Sequence, residues 1–421
     1  MNEPSQNWAK CYEYGAARIH SPASVDQLRQ IVQSSPKVRA LGTRHSFNGL
    51  PDTEGDLVHL GRMSRPLAID RERMTVTAEA GIRYGELGAY LEANGFALAN
   101  LASLPHISVA GACSTATHGS GDRNGNLATS VCGVDLMVAD GSIVQLGRNE
   151  TPETFDGAVV ALGALGIAVR VTLDILPTFA VRQDVYEDMP FDEALGHFDE
   201  TMSSGYSVSL FTDWTAPCFN QVWRKRATSP DDDSPAEPEF FGGRLAAHDL
   251  NPIKGSSPEN CTTQTGIPGR WNDRLNHFRM EFTPSVGDEL QSEYLVPRSR
   301  AVEALRAVQL LADQIAPHLY LTEVRSIAAD RMWLSTAYAR DSVAIHFTWK
   351  KEWDAVHDLM PLIEAALAPY EPRPHWGKLF TIVPAVLRER YPRLHDFHSL
   401  AKSMDPAGKF RNAFVDGLLG S

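Results

Sequence analysis

Residues 38–50 have the sequence V-R-A-L-G-T-R-H-S-F-N-G-L, and this stretch decides how the chain around it is interpreted. The apolar residues up to Leu41 predict a buried strand, and Gly42 allows a turn with a positive φ angle. The next residues can present successive backbone N–H groups, which bind anions and electron-rich ligands. His45 would stand at the mouth of this loop as a nucleophile, a metal ligand or a base. By itself the pattern is weak, because a hydrogen-bonded loop histidine is the commoner case.

Length and composition set the broad class of protein. The chain has 421 residues, which is more than one core usually supports, so we expect two domains. With 43% hydrophobic and 22% charged residues it has the composition of a globular protein with large cores. The net charge of −13 and the lack of a Lys/Arg block argue against nucleic acid as a partner. No feature of the sequence predicts a protein partner.

Cysteine usage and the N-terminal residues bear on location. The five cysteines are scattered without a C-x-x-C pair, which fits reduced thiols in the cytoplasm. The first ten residues, M-N-E-P-S-Q-N-W-A-K, have neither a basic nor an apolar region, and no run approaches the roughly 20 apolar residues of a membrane span. We therefore expect a cytoplasmic protein with no export signal and no membrane anchor.

The first half alternates between strand and helix patterns. Periodicity predicts a helix over residues 25–33 with Ser24 as its N-cap, and a helix over residues 84–93 that ends at Gly95. Strands are predicted over residues 38–41, 57–60, 74–80 and 167–175, and a short helix over residues 155–162. Residues 139–142, A-D-G-S, predict a hairpin between strands over residues 131–138 and 143–146. This alternation indicates a sheet with helices packed against it.

Residues 102–121, A-S-L-P-H-I-S-V-A-G-A-C-S-T-A-T-H-G-S-G, form a nearly uncharged loop of small residues. Small residues let a backbone approach a large ligand, and hydroxyls with free N–H groups suit a diphosphate. A Gly/Ser linker is the plainer alternative, but linkers are seldom this apolar. His106 and His118 could join His45 as metal ligands. However, their spacing matches no metal site and no carboxylate accompanies them, so we predict no metal.

The pattern changes from about Arg182, where a second domain is expected. Strands over residues 206–214, 278–282 and 290–296 predict a largely antiparallel sheet, and a helix is predicted over residues 301–315. The Pro-rich acidic stretch 229–238 is most simply a solvated loop.

Two further strands each carry a polar pair. In residues 319–327, Glu323 and Arg325 share a face with apolar residues, and in residues 342–349 His346 and Thr348 share a face. A structural ion pair and a solvent-facing strand edge are the plain alternatives. Buried polar groups need partners, however, and a ligand with several hydroxyl groups would supply them.

Several motifs in their order resemble one family of flavoproteins. They are G-T-R-H-S-F at 42–47, S-L-P-H-I-S-V-A-G at 103–111, T-H-G-S-G at 117–121, the D-G hairpin, and L-G-A-L-G at 162–166. Together they resemble the FAD domain of the vanillyl-alcohol oxidase superfamily, and nearly the whole chain resembles the alditol (xylitol, sorbitol) oxidases. R-P-H-W-G-K at 373–378 and D-P-A-G-K-F-R-N at 405–412 extend the resemblance. It implies an α+β fold, with an FAD-binding domain over 1–180, an inserted cap of antiparallel sheet and helices over 181–377, and a return over 378–421.

The resemblance also implies the cofactor and its ligands. FAD would be bound covalently through His45, and by this one bond only, because doubly anchored relatives carry a cysteine where Leu104 stands. Cys113 lies near that position but out of register, and we expect it to pack as a small residue. The implied cofactor-binding residues are Ala40, Leu41, Gly42, Thr43, Arg44, His45, Ser46, Ser103, Ser108, Gly111, Ala112, Cys113, Ser114, His118, Ile167, Ala168 and His375.

The implied activity is oxidation of an alditol at a terminal hydroxyl to the aldose, with hydride transfer to flavin N5 and reduction of dioxygen to hydrogen peroxide. Implied catalytic residues are Arg325, Lys378, Glu323 and His346, and implied substrate-binding residues are Ser103, Glu323, Arg325, Thr348 and Lys378. Either His346 or Glu323 could be the base. The alternatives are an aldonolactone oxidase or dehydrogenase of the same superfamily, a non-catalytic flavin or sugar binder, and a metal hydrolase that uses the histidines.

Overall fold

The computed structural model describes residues 5–282 and 287–420. Its strands are β1 (Arg18–His20), β2 (Val38–Leu41), β3 (Asp56–His59), β4 (Pro66–Asp70), β5 (Thr75–Glu79), β6 (Phe96–Ala97), β7 (Val131–Met137), β8 (Ile143–Gly147), β9 (Ile167–Asp174), β10 (Leu176–Pro177), β11 (Ala180–Pro190), β12 (Ser207–Thr212), β13 (Cys218–Thr228), β14 (Glu239–Phe240), β15 (Gly243–Leu245), β16 (Gly269–Arg270), β17 (Glu289–Pro297), β18 (Leu319–Ile327), β19 (Ser342–Lys350) and β20 (Arg373–Pro374). Its helices are α1 (Val25–Ser34), α2 (Tyr84–Ala93), α3 (Val109–Ser114), α4 (Pro152–Ala158), α5 (Phe191–Gly196), α6 (Phe198–Ser203), α7 (Ala301–Gln309), α8 (Ala312–Ile315), α9 (Trp353–Leu367), α10 (Pro384–Arg390), α11 (Leu394–Met404) and α12 (Ala413–Leu419).

Most strands of the first half form two sheets with helices beside them, and β6 and β10 form a two-stranded antiparallel sheet. Strands β1, β3 and β2 form a parallel sheet in that order, and β4, β5, β9, β7 and β8 form an antiparallel sheet. Helix α1 begins as predicted, because the Ser24 side chain accepts a hydrogen bond from Gln27 N. Gly95, with φ +82°, follows the end of α2. The predicted strands and hairpin of this half are confirmed with shifts of one or two residues at their ends.

A ten-stranded sheet occupies the second half. Its order is β14-β15-β11-β13-β12-β18-β19-β17-β20, with β16 beside β11, and its neighbours pair antiparallel. One face is apolar and packs in a core with helices α5 to α9, through residues that include Phe191, Leu305, Val324, Phe347, Trp349 and Ile363. The opposite face of β17, β18 and β19 carries buried polar side chains. The predicted α+β fold class is confirmed.

The C-terminal residues pack against the first half of the chain. Val38 N donates to Lys409 O at 3.0 Å, and Asn412 Nδ2 donates to the carbonyl oxygens of Gly49, Leu50 and Asp52. The tail therefore completes the surroundings of β2 and of the loop that follows it.

Four predictions of local structure were wrong or incomplete. The predicted helix over 155–162 is α4, which begins earlier because Pro152 fits the first helical turn. The helix over 301–315 is interrupted at Leu310, whose side chain is 86% exposed. No strand covers residues 278–282, where Phe278 makes only an isolated bridge to Cys261. The loop over 102–121 contains helix α3, which its low-propensity glycines and serines conceal.

The absence of an export signal and of a membrane anchor stays a prediction. Residues 1–4 lie outside the described residues. Among the helices of the described ranges, none is long and apolar enough to cross a membrane.

Candidate active site

A cavity of about 1120 Å³ lies between the loop after β2, helix α3 and the polar face of the large sheet. Ligand pockets usually measure about 300–1,000 Å³, so this one can hold a large cofactor together with a small substrate. The predicted cofactor residues that line it are Ala40, Leu41, Gly42, Thr43, Arg44, His45, Ser46, Ser103, Ser108, Gly111, Ala112, Cys113, Ser114, His118, Ala168 and His375. Ile167 does not line the cavity, because the alternation of β9 turns it into the core beside Val38.

Two glycines let the turn after β2 pack closely against the start of helix α3. A Cβ atom at Gly42 would lie 2.8 Å from Ser108 Oγ, and a Cβ at Gly111 would lie 2.7 Å from the same atom. Ser108 N in turn donates to Thr43 Oγ1 at 3.3 Å. The backbone of the loop and the start of α3 therefore approach each other as only glycine permits.

His45 has an unusual environment beside these glycines. Its Nδ1 lies 3.0 Å from Thr43 Oγ1, and Trp8 stacks on its ring with centroids 5.2 Å apart. Its Nε2 is buried and has no hydrogen-bond partner among the described residues. Burial, with a further contribution from Lys378, lowers the pKa of His45 to about 3. The imidazole is therefore neutral, and one ring nitrogen is left for a ligand.

Cys113 and Leu104 both line the cavity. The Cys113 sulfur lies 3.4 Å from the Tyr84 hydroxyl, and burial raises the pKa of the thiol to about 12. It therefore packs as a small neutral side chain. Leu104 lines the cavity and has no nucleophilic atom.

These observations fit a flavin nucleotide. Glycine and hydroxyl residues of the loop and of α3 line the cavity, His45 has a neutral ring with an unpaired nitrogen, and the cavity has room for the flavin rings.

One wall of the cavity is built from three adjacent strands, β17, β18 and β19. In the register of the sheet, Glu323 of β18 lies opposite His346 of β19, which lies opposite Glu293 of β17. Thr348 lies next along the same face of β19, and His346 Nε2 lies 3.1 Å from its Oγ1. Directly paired residues share a face of a sheet, so one row carries two carboxylates with an imidazole between them.

Arg325 contacts both carboxylates and also Ser103, which precedes helix α3. Its Nη2 donates to Glu293 Oε1 at 2.6 Å, its Nε lies 3.5 Å from Glu323 Oε2, and its Nη1 donates to Ser103 Oγ at 3.4 Å. Burial opposes ionisation of Glu323, but Arg325 and His277 outweigh it and hold its pKa well below the usual range. Glu323 is thus a charged acceptor and a weak base.

Glu293 is central to the site and the sequence analysis missed it. Besides Arg325, it has His118 Nε2 at 3.2 Å and His346 Nδ1 at 3.6 Å. Burial opposes its ionisation, but these three neighbours hold its pKa well below the usual range. The alternation of the predicted strand over 290–296 could have found it.

His346 is suited to accept a proton. Burial lowers its pKa, although Glu293 opposes this shift, so the ring is neutral near pH 7. If Nδ1 carries the proton and faces Glu293, Nε2 is left as the basic atom beside Thr348.

Lys378 and His375 come from the H-W-G-K motif. Lys378 Nζ donates to Gln291 Oε1 and lies 5.0 Å from the centre of the Phe47 ring, and burial lowers its pKa to about 8. His375 Nδ1 accepts a hydrogen bond from Gly377 N at 3.1 Å, and its Nε2 lies 3.3 Å from Thr117 Oγ1. Burial lowers its pKa to about 3, so it is neutral.

His277 is the second site residue that the sequence analysis missed. Its Nε2 lies 2.7 Å from Glu323 Oε1. It belongs to an irregular segment, where no periodic pattern could indicate its direction.

The histidines considered as metal ligands have other partners. His106 Nε2 lies 3.0 Å from Met280 O, and His118 lies against Glu293. Across residues 5–282 and 287–420, no group of three or more His, Cys, Asp or Glu side chains could hold a metal ion.

Two family models match the chain. Residues 16–147 match an FAD binding domain, and residues 284–418 match D-arabinono-1,4-lactone oxidase. The same fold occurs in the crystal structure of cholesterol oxidase from B. sterolicum, with a TM-score of 0.80, 15% identity, and 98% of this chain and 96% of that chain covered. Fold, cavity and FAD-binding match together define an FAD-dependent oxidoreductase.

Relatives that align with nearly the whole chain identify its family within this class of enzymes. The alditol oxidase of Streptomyces sp. (strain IKD472 / FERM P-14339) is 46% identical, with 100% of both chains covered. L-gulonolactone oxidase of Mus musculus is 26% identical over 98% of this chain and 97% of the relative, and L-gulono-1,4-lactone dehydrogenase of Mycobacterium tuberculosis is 28% identical over 98% of both. The chain belongs to the alditol oxidase family of the vanillyl-alcohol oxidase superfamily, as its motifs predicted.

Proposed function

We propose that this protein oxidises alditols such as xylitol or sorbitol at a terminal hydroxyl to the aldose, with dioxygen as the electron acceptor. The observation that carries the proposal is the row of Glu323, His346 and Glu293 across three strands, with Arg325 bridging its two carboxylates on the cavity wall. Several charged and polar donors and acceptors that line one cavity suit a ligand with several hydroxyl groups.

FAD would be held by the loop after β2, by α3 and by Ala168, and we propose that His45 binds it covalently. The unpaired, neutral imidazole nitrogen supports this bond, and Leu104 in place of a cysteine supports a single attachment. When bound, FAD accepts the hydride from the alcohol carbon and delivers the electrons to dioxygen. A covalent histidyl substituent would also prevent loss of the cofactor.

The substrate would be positioned by five side chains. Glu323 accepts from one hydroxyl, Arg325 and Lys378 donate to others, and Thr348 and Ser103 can do either. Each extends into the same cavity. Fixing several hydroxyls at once orients one carbon for hydride removal, and such positioning is a large part of the catalysis of bimolecular reactions.

We assign the base to His346 rather than to Glu323, the two residues between which the sequence left the choice open. Its Nε2 would take the proton of the reacting hydroxyl, and Glu293 would orient the ring through Nδ1 and stabilise the imidazolium that forms. Arg325 and Lys378 would stabilise the negative charge that develops on the reacting oxygen. Glu323, whose pKa Arg325 and His277 hold well below its usual range against the effect of burial, would remain an acceptor.

The proposal also covers the domain boundaries, the location and the partners of the protein. Residues 1–180 and 378–421 would form the FAD-binding domain and residues 181–377 the cap, which agrees with the position of the large sheet between Ala180 and Pro374. The protein would act in the cytoplasm. Its partners would be a small polyol and dioxygen.

A substrate panel tests the function. The purified protein should be yellow, and it should release hydrogen peroxide with xylitol or sorbitol much faster than with aldonolactones. Faster turnover of lactones would favour the lactone oxidases and dehydrogenases among the relatives instead. A colourless native protein would refute flavin binding.

A further inference from the structure

A chain of buried polar groups extends behind Glu323, away from the cavity. Lys225 Nζ of β13 donates to Leu275 O at 2.6 Å and to Asn276 O at 2.9 Å, and lies 3.0 Å from His277 Nδ1. His277 Nε2 lies 2.7 Å from Glu323 Oε1. Lysine and histidine are both almost fully buried, at 1% and 5% exposure. This is an ordered path from a buried amine to the carboxylate in the site.

The chemistry of Lys225 fixes the state of His277. An ammonium group has three donors and no acceptor, and its three partners here are two carbonyl oxygens and one ring nitrogen. While Lys225 is an ammonium, Nδ1 of His277 must accept, and the proton of the neutral ring then lies on Nε2, where the Glu323 carboxylate also favours it. That N–H points at Glu323 Oε1. Burial lowers the pKa of His277 to about 4, which keeps the ring neutral.

Aromatic rings hold the imidazole in place. The ring centroid of His277 lies 5.0 Å from that of Trp223 and 5.7 Å from that of Phe211, both in edge contacts. His277 N also donates to Ser103 O at 3.1 Å, so the same residue contacts the cofactor half of the site. With its orientation fixed by packing, only the position of the ring proton remains to be set.

We propose that Lys225 and His277 are positioning residues for alditol oxidation, in which Lys225 sets the tautomer of His277 and His277 holds Glu323 in place to receive a substrate hydroxyl. This rests on the function proposed above. Without Lys225, His277 can also place its proton on Nδ1, which turns the Nε2 lone pair towards the Glu323 carboxylate. Glu323 then loses a donor and is free to turn.

Burial lowers the pKa of Lys225 to about 7, and Glu323 is the main group that opposes this shift. Cys261 also opposes it, and Arg274 adds to it. The protonated state of Lys225 therefore depends on its three acceptors and on the negative charge of Glu323.

A double-mutant cycle separates this role from a structural one. Lys225→Met should lower kcat/KM for xylitol by about 10- to 100-fold, since a hydrogen bond to a charged group is worth about 1.5–3 kcal/mol. In a Glu323→Gln background the same change should alter kcat/KM by less than about threefold, because an amide can pair with either tautomer. Equal losses in both backgrounds would overturn the proposal.

Lys409→Met is the matched control. Lys409 Nζ also donates to two backbone carbonyls, those of Val32 and Ala139, but it contacts no histidine in the site. It should lower thermal stability without changing kcat/KM. If Lys225→Met does not fold, His277→Gln against His277→Leu decides, because glutamine keeps a donor for Glu323 and leucine does not. Equal activities of these two variants would refute the proposed positioning role of Lys225 and His277.

NMR of the protein without substrate tests the tautomer of His277 independently of the proposed function. The ¹⁵N shifts of the imidazole nitrogens, assigned with His277→Gln, should show the proton on Nε2 in the native protein and a mixture of tautomers in Lys225→Met. A proton on Nδ1 in the native protein would refute the positioning role, whichever alcohol the enzyme oxidises. If the protein oxidises alditols but the effects of Lys225→Met and Glu323→Gln are additive, the positioning role is refuted and the proposed function is not.

Discussion

Replacing Glu293 with glutamine tests the proposal that Glu293 orients His346 as the base. Its Oε1 accepts from Arg325 at 2.6 Å, and its Oε2 faces His346 Nδ1 at 3.6 Å. An amide keeps the size of the side chain but offers one acceptor and one donor group. Both neighbours need an acceptor, so one of them loses its partner in Glu293→Gln.

The expected loss follows from the role of His346. General base catalysis contributes about 10²–10⁴-fold, so a base that is no longer oriented should lower kcat by about 10²-fold or more. Glu293 also raises the pKa of His346 against the effect of burial. Because the base acts in its neutral form, kcat should rise with pH through the His346 pKa. In Glu293→Gln that rise should move to lower pH.

The assay is the rate at which xylitol bleaches the flavin without oxygen, measured between acid and neutral pH, with peroxide release as a second readout. Glu364→Gln is the control, since Glu364 is also a buried carboxylate, which accepts from Tyr294 OH at 2.9 Å and from Thr381 N at 2.7 Å, outside the cavity. A native rate in Glu293→Gln, or a slower rate with an unmoved pH profile, would refute the assignment.

His45→Ala should still bind FAD but release it on acid precipitation, and flavin fluorescence that stays with the denatured band would contradict the covalent bond. Lys378→Met should abolish turnover and leave the flavin spectrum unchanged; peroxide release at the native rate would show that Lys378 lies outside the reaction. Arg39 donates to Leu50 O and Leu162 O at 2.7 Å and also to Phe410 O, so Arg39→Met should lower the free energy of unfolding in urea by about 3 kcal/mol or more, and an unchanged value would be inconsistent with these bonds. Burial lowers the pKa values of His45, His277 and His375 to about 3, 4 and 3, whereas the pKa of an unfolded histidine is about 6.5. Unfolding then takes up protons, so the free energy of unfolding of the apoprotein should fall as pH drops from about 6.5 towards 4, and a flat profile would argue against neutral buried rings.

The parts of the fold that follow from local periodicity could be predicted from the sequence. Helix α2 and strand β18 have the predicted bounds, because their apolar residues repeat with the period of a helix and of a strand. Periodicity also placed Glu323 and Arg325 on one face, and the structure puts their charged groups 3.5 Å apart. The break at Leu310 could not be predicted, because the apolar pattern continues through it.

The missed parts of the site have two different physical causes. Glu293 lies on a predicted strand, but its importance comes from pairing with β19 and from contact with Arg325, and a single strand does not reveal its neighbours. His277 lies between elements, where packing against Trp223 and Phe211 sets its direction. Long-range contacts of this kind become visible only in three dimensions.

The contact between the tail and β2 has a consequence for the order of assembly during synthesis. Arg39 precedes the turn that carries His45, yet its Phe410 partner lies 371 positions later in the chain. A nascent chain can form β2 early, but the strand acquires these partners only after residues 409–412 have been synthesised. A chain that stops short of residue 410 would carry the row of Glu323, His346 and Glu293 but would lack the contacts that support the loop after β2. We therefore expect cofactor loading to follow the synthesis of residues 409–412.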